Sequence, residues 1–345
     1  MHLKSHQTNR THRHFLRAFT TAFALLAVAS CANSSSDSTT VNTTSETSPN
    51  ETSQGDRPQV VVTYSVLGSI VSQLVGDSAE VTVIIPDGQD PHEFQPSAKD
   101  IETMNNADFI VANGLDFEEG LGDSLSARID SGGKVFMVGD HVKVRKIDEP
   151  NHDETDAESQ GESQDSKGHA HDDEGHAHGG VDPHLWLSPA TMLEMLPALT
   201  AELSTAIGVD LNESESTLTT VLKNLDAEIS NSIAEIGECN LVSGHDELAY
   251  FADRYKCQII GAIIPSFTTT SEATAGELAD LKKLITQYKV PAIFTGLGTN
   301  PDVAKQLADE LGVKAVSLST HFLNDANNYQ EFMRNMVNQI TEALG

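Results

Sequence analysis

The sequence predicts an α/β protein of two lobes, and three observations support this fold class. The first half alternates short β-rich runs with stretches of helical composition, and the second half repeats the pattern. Strands that alternate with helices indicate mainly parallel sheets covered on both faces. Between the halves lies one long amphipathic segment, 212–237, in which roughly residues 213–236 are predicted to form a helix of about 36 Å, long enough to link two lobes.

The N-terminal residues 1–30 have the features of a bacterial export signal. Four basic residues precede a thirteen-residue, weakly polar to apolar stretch that is too short to span a bilayer of about 30 Å. It ends in "VASC" (28–31), which resembles the lipobox of bacterial lipoproteins, where cleavage leaves the cysteine, here Cys31, to carry a lipid. An ordinary signal peptide with an incidental cysteine is the alternative. We expect a protein that is exported and lipid-anchored to the outer face of the cytoplasmic membrane.

Two further segments lack the apolar side chains of a folded core. Residues 31–57 hold thirteen Ser or Thr and are expected to form a flexible tether. Residues 148–180 interrupt the first lobe with five histidines and many Asp and Glu. Such a segment cannot bury enough surface to offset its conformational entropy, so a disordered loop is predicted. The histidines of this loop are His152, His169, His171, His176 and His178.

The first lobe (58–211) and the second lobe (238–345) are each expected to contain four strands. In chain order, these are 60–66, 81–85, 109–112, 135–138, 240–243, 258–264, 292–295 and 314–318. Helices are expected at 97–107, with Ser97 as the N-cap, and near 246–256, 275–288 and 301–311. Apolar residues at three- and four-residue steps from Leu218 to Ile236 predict the linking helix, and Asn212 with Glu215 is its expected N-terminal cap.

Two cysteines of the second lobe, Cys239 and Cys257, precede neighbouring predicted strands. In an oxidising compartment such a pair more often forms a disulfide than stays free. No third cysteine or nearby histidine pattern completes a thiolate metal site. A disulfide is therefore expected.

The formal net charge of −30 argues against nucleic acid as a partner and favours cations. Of fourteen histidines, four lie in the export signal and five in the loop. The others are His92, His141, His184, His245 and His321. All of these except His184 follow a predicted strand, on the side of a parallel sheet where open α/β sheets bind ligands. His141 has no further metal-binding context and is not expected to be a ligand.

His92 and His184 occur in the same local sequence, "DPH". Asp90-Pro91-His92 and Asp182-Pro183-His184 are each followed by an aromatic residue and a proline. Proline restricts the backbone before the histidine, and an aspartate two residues away can orient the imidazole by accepting its N–H. The repeated pattern predicts that His92 and His184, together with His245, bind one metal ion, with Asp90 and Asp182 as orienting groups.

These residues resemble the metal-binding solute receptors of bacterial ABC importers, in the branch that carries zinc or manganese. The resemblance runs from about residue 58 to the C-terminus and includes "DPHEFQPSAKD", an acidic His-rich insertion, "DPHLWLSP", "GHDELAYFADRY" and "NYQEFMRNM". It implies two α/β lobes joined by a rigid helix, one ion in the cleft between them, and a monomer that delivers the ion to the membrane subunits of a permease. The family's first three ligand positions match His92, His184 and His245.

The fourth ligand position departs from the family pattern. The family usually has an aspartate shortly after the last strand, where this chain has Ser319. His321, two residues on, is the predicted fourth ligand. The alternatives are water or a carboxylate such as Glu93.

The donor types favour zinc as the carried ion, without a catalytic role. Neutral imidazoles suit Zn²⁺, whereas manganese favours oxygen ligands. Binding is expected to weaken as the pH falls through about 6.5, where an unperturbed imidazole gains its proton. The five histidines of the loop are expected to form a weak auxiliary site that raises the local zinc concentration. The alternative is a solubilising insertion without metal.

Three other functions are compatible with parts of the sequence. A zinc-dependent hydrolase needs three protein ligands and an open position for water, and the missing aspartate would create one. However, no H-E-x-x-H motif is present. A manganese receptor, or a surface adhesin or zinc store of the same fold, remains as a further alternative.

Overall fold

The computed structural model describes residues 57–145 and 180–345. The predicted signal peptide, Cys31 and the tether up to residue 56 lie outside the described residues. Residues 146–179, with all five histidines of the predicted loop, also lie outside them.

The first sheet contains four parallel strands in the order β2-β1-β3-β4. They are β1 (Gln59–Tyr64), β2 (Glu80–Ile85), β3 (Phe109–Ala112) and β4 (Val135–Met137). The helices of this lobe are α1 (Ser65–Val75), α2 (Ala98–Asn105), α3 (Gly122–Asp130) and α4 (Pro189–Ile207). The central strands β1 and β3 are apolar on both faces and almost fully buried, as expected for a parallel sheet covered by helices.

The first predicted strand, 60–66, was too long. The strand ends at Tyr64, and α1 begins at Ser65. Val66, Leu67, Ile70 and Leu74 of this helix are completely buried. These apolar residues follow the β-rich run without a break. A prediction based on β propensity alone therefore extends the strand into the helix.

The second sheet repeats the architecture with the strand order β6-β5-β7-β8, again all parallel. Its strands are β5 (Asn240–His245), β6 (Gln258–Ile264), β7 (Ala292–Thr295) and β8 (Lys314–Ser317). The helices of this half are α6 (Ala249–Tyr255), α7 (Ala275–Tyr288), α8 (Pro301–Leu311) and α9 (Tyr329–Leu344). A disulfide joins Cys239 and Cys257, just before β5 and β6.

The helix α5 (Asn212–Ile236) links the two lobes and packs against α4, α9 and α1. Its expected cap was wrong, because Asn212 is already the first helical residue. Instead, the side chain of Asp210 accepts the N–H of Asn212 at 3.0 Å. Among the described helices, none is both long and apolar enough to cross a membrane.

The last helix, α9, connects the second lobe back to the first. The N–H of Tyr329 donates to Ser69 Oγ of α1 at 2.8 Å, and the phenol of Tyr329 donates to the carbonyl of Trp186 at 2.7 Å. Together with α5, these contacts join the two lobes.

Candidate metal centre

Four imidazoles meet where the carboxyl ends of the two sheets face each other. His92, His184, His245 and His321 each offer one ligand atom, and these atoms all lie within 4.8 Å of one another. Their ring centroids are 5.1 to 5.8 Å apart, and none of the four residues is more than 2% exposed. We call them the four-histidine group.

Asp182 orients His184 through both its main chain and its ring. One carboxylate oxygen accepts the His184 N–H at 3.0 Å and lies 2.8 Å from Nδ1. The opposite ring nitrogen, Nε2, therefore faces the group and lies 3.2 Å from Nε2 of His245. The amide of Asn113 donates to the carbonyl of Pro183 at 2.9 Å and fixes the same segment to β3.

Asp90 does not repeat this arrangement, and its expected role is corrected. Its carboxylate accepts the backbone N–H of His92 at 3.1 Å, but neither ring nitrogen of His92 has a hydrogen-bond partner among the described residues. His92 lies in a turn that is closed by a hydrogen bond from the Glu93 N–H to the Asp90 carbonyl (3.2 Å). The Asp90 carboxylate therefore binds the main chain of His92 and not its imidazole.

Glu247 is a site residue whose position the sequence did not reveal. It is only 2% exposed, and its two oxygens lie 3.7 Å from Nδ1 of His245 and 3.7 Å from Nδ1 of His321. Thr320 Oγ donates to the same carboxylate and lies 3.0 Å from His321 Nδ1. One sequence feature could have identified it: Glu247 is an acid two residues from a ligand histidine, the same spacing as in both DPH segments.

Aromatic rings pack against the group. The Phe117 ring stacks on His321 with centroids 5.9 Å apart, and it lies 5.1 Å from His92 and 4.4 Å from Trp186. The indole N–H of Trp186 donates to the carbonyl of Thr320 at 2.6 Å. This bond joins the His184 segment directly to the His321 segment.

Burial keeps three of the imidazoles, those of His92, His245 and His321, neutral at physiological pH. It lowers the pKa of His92 to about 3, with a further contribution from the neighbouring His184. Burial also lowers the pKa values of His245 and His321 well below the usual value. It raises the pKa of Glu247 to about 7. A neutral imidazole presents a lone pair to a cation, so these three histidines can bind metal without first losing a proton.

Other residues considered from the sequence lie apart from the group. The His141 ring stacks on Phe136 with centroids 4.2 Å apart. Ser319 Oγ donates to the carbonyl of Phe322 at 2.9 Å. Glu93, an alternative fourth donor, has an exposed side chain and is not among the four converging residues.

The donor set is chemically uniform. Four nitrogens match the number of ligands of a tetrahedral Zn²⁺ site, and imidazole suits zinc better than it suits manganese. Two buried acidic side chains, Asp182 and Glu247, lie beside the imidazoles of His184 and His245. The arrangement can hold a divalent cation out of contact with water.

Comparisons with known proteins agree with this geometry. The family model "Zinc-uptake complex component A periplasmic" matches residues 60–343. The zinc-binding protein AdcA of Streptococcus pyogenes is 29% identical over 272 residues, which are 76% of this chain and 50% of AdcA. The chain thus spans about half the length of that relative. The high-affinity zinc uptake system protein ZnuA of Bacillus subtilis is 26% identical over 309 residues, covering 88% of this chain and 87% of ZnuA.

A solved structure shows the same fold. The periplasmic zinc-binding protein TroA of Treponema pallidum superposes with a TM-score of 0.69 at 21% identity, over 84% of this chain and 99% of TroA. Because the family model covers both sheets, the linking helix and all four histidines, the chain belongs to the family of periplasmic zinc-uptake complex component A proteins.

Proposed function

We propose that this chain is an extracytoplasmic receptor that binds one Zn²⁺ in the four-histidine group and delivers it to the membrane subunits of an ABC-type importer. The convergence of four buried imidazoles carries this proposal, and burial keeps His92, His245 and His321 neutral. Zinc is the cargo and not a catalyst. With four nitrogen donors, the ion keeps no position for the water molecule that a zinc hydrolase needs.

Competitive titration of the full chain with Zn²⁺ and Mn²⁺ tests which of the two ions the chain binds preferentially. One tightly bound Zn²⁺ per chain is expected, with Mn²⁺ displaced by equimolar Zn²⁺, because no carboxylate belongs to the group. Trp186 is the only tryptophan and lies 5.5 Å from the His184 ring, so its fluorescence reports occupancy. Equal affinity for Mn²⁺ contradicts the zinc assignment. Rescue of zinc-limited growth by the intact gene, but not by a His92→Ala copy, tests delivery.

We expect the ion to be released by local movement near the histidines and not by a wide opening of the two lobes. The linking helix α5 and the bonds from Tyr329 to Ser69 and to Trp186 resist separation of the lobes. By contrast, His92 and His321 lie in segments outside the regular helices and strands. Their displacement leaves both sheets intact.

Replacing Glu247 by glutamine is expected to weaken zinc binding about 10- to 100-fold. The amide keeps the size of the side chain but removes the charge that faces two imidazoles. Chelator competition at pH 7.5 measures the effect. The matched control is Asp226→Asn, which removes a buried carboxylate bonded to Arg254 and Tyr255 and lowers stability without changing zinc affinity. Equal affinity losses in both variants refute the proposed role of Glu247.

The histidines of the 148–180 segment are proposed to form an auxiliary zinc-binding region beside the site. The residues that flank this segment lie close to His184, since the N–H of Asp182 donates to the carbonyl of Arg145 at 3.1 Å. Deletion of residues 152–178 is expected to leave the tight site unchanged and to remove weaker zinc equivalents. Calorimetric titration counts both classes, and an unchanged total stoichiometry contradicts the auxiliary role.

A lipid on Cys31 is proposed to hold the receptor at the outer face of the cytoplasmic membrane. The "VASC" sequence supports this attachment. A Cys31→Ser variant is expected to leave the membrane fraction; retention there contradicts lipid anchoring.

A further inference from the structure

His92 differs from the other members of the four-histidine group in its surroundings. This residue lines two surface depressions, one of about 500 Å³ and one of about 230 Å³, although it is only 2% exposed. His92 therefore lies between the buried group and the protein surface.

One ring nitrogen of His92 has no role in the four-histidine group. A tetrahedral ion takes a single nitrogen from each imidazole. In the other three histidines, the second nitrogen faces an oxygen-bearing side chain at 2.8 to 3.7 Å. In His92, neither nitrogen has a hydrogen-bond partner among the described residues. The second nitrogen is thus buried without a partner among the described residues.

Acidic side chains accompany His92 in both depressions. Glu93, Glu119 and Asp123 line the larger depression, and Asp116 and Glu119 line the smaller one. All four are exposed, and the described residues that line the two depressions include no lysine or arginine. Carboxylates of one sign in a concave surface raise the local concentration of cations, and their oxygens suit a hydrated divalent ion.

The segments that line the larger depression are held in place by contacts with their neighbours. A side chain at Gly120 would place its Cβ 2.0 Å from the carbonyl oxygen of Phe94, so the segments that carry Glu93 and Glu119 are in direct contact. The neighbouring Glu118 is buried and accepts the N–H of Asn113 at 2.6 Å, which holds this loop to β3.

We propose that His92, Glu93 and Glu119 form an outer, low-affinity divalent-cation site through which the ion enters and leaves the four-histidine group. This inference rests on the proposed function. The carboxylates hold the hydrated ion, the free nitrogen of His92 binds it, and movement of the His92 ring transfers it to the other three imidazoles. Release follows the same steps in reverse.

Stopped-flow mixing of the full chain with Zn²⁺, followed by Trp186 fluorescence, tests the route. Wild-type rates are expected to reach a plateau with rising zinc, because the outer site fills. In the double variant Glu93→Gln/Glu119→Gln, association is expected to be about tenfold slower and to lose the plateau. Removal of zinc by excess chelator slows in proportion, because entry and exit share the route. The control Glu235→Gln/Glu342→Gln removes the same charge from exposed positions elsewhere and keeps wild-type rates.

Equal rates in the two double variants overturn the outer site, because the effect is then one of net charge or is absent. A wild-type rate that stays linear in zinc also overturns it. Failure of the proposed function is separate from both results: it requires that the wild-type chain does not bind zinc tightly at equilibrium.

Discussion

Replacing His184 by alanine is expected to weaken zinc binding about 100- to 1000-fold. Structural zinc sites with four ligands bind with about 10–16 kcal/mol, so each ligand contributes about 2.5–4 kcal/mol when the total is shared equally. His184 is the best-oriented imidazole, because Asp182 holds its ring at 2.8 Å. The variant also leaves the Asp182 carboxylate, which is 0% exposed, without its imidazole partner.

Competition with a chelator of known affinity measures this loss. The matched control is His141→Ala, which removes an imidazole that stacks on Phe136 outside the group and is expected to bind zinc as the wild type does. Thermal unfolding of both variants without metal separates lost coordination from lost folding. A His184→Ala affinity within threefold of the control contradicts the four-histidine site.

Protonation of Glu247 is expected to lower zinc affinity about tenfold for each pH unit below 7, which is about 100-fold between pH 7 and pH 5. Burial raises the pKa of Glu247 to about 7 in the metal-free protein, whereas a bound cation favours its ionised form. Below pH 7, zinc must therefore displace the proton of Glu247. His92, with a pKa of about 3, and the similarly buried His245 and His321 are neutral throughout this range.

This pH dependence differs from the one anticipated from the sequence. Three imidazoles with ordinary pKa values of about 6.5 would cause a fall of about 1000-fold per pH unit at lower pH. Affinities at pH 7.5, 6.5 and 5.5 distinguish the two slopes. In Glu247→Gln the slope is expected to flatten, so that its affinity approaches that of the wild type at pH 5.5. A three-proton slope in the wild type contradicts the lowered imidazole pKa values.

The sequence predicted those parts of the fold that depend on local patterns. The strands 109–112, 258–264 and 292–295 and the helices 275–288 and 301–311 have the predicted bounds, because apolar runs and capping residues act within a few positions. It also named the four histidines that the fold brings together, since the ends of parallel strands lie at one edge of a sheet.

Only the tertiary structure decided how the surroundings of those histidines work. Asp90 and Asp182 have the same local sequence, yet only Asp182 reaches an imidazole. Glu247 meets Thr320, 73 positions away, and the indole of Trp186 meets the same residue from 134 positions away. Hydrogen-bond geometry and the desolvation that shifts pKa values depend on which distant groups pack together, so short sequence patterns do not determine them.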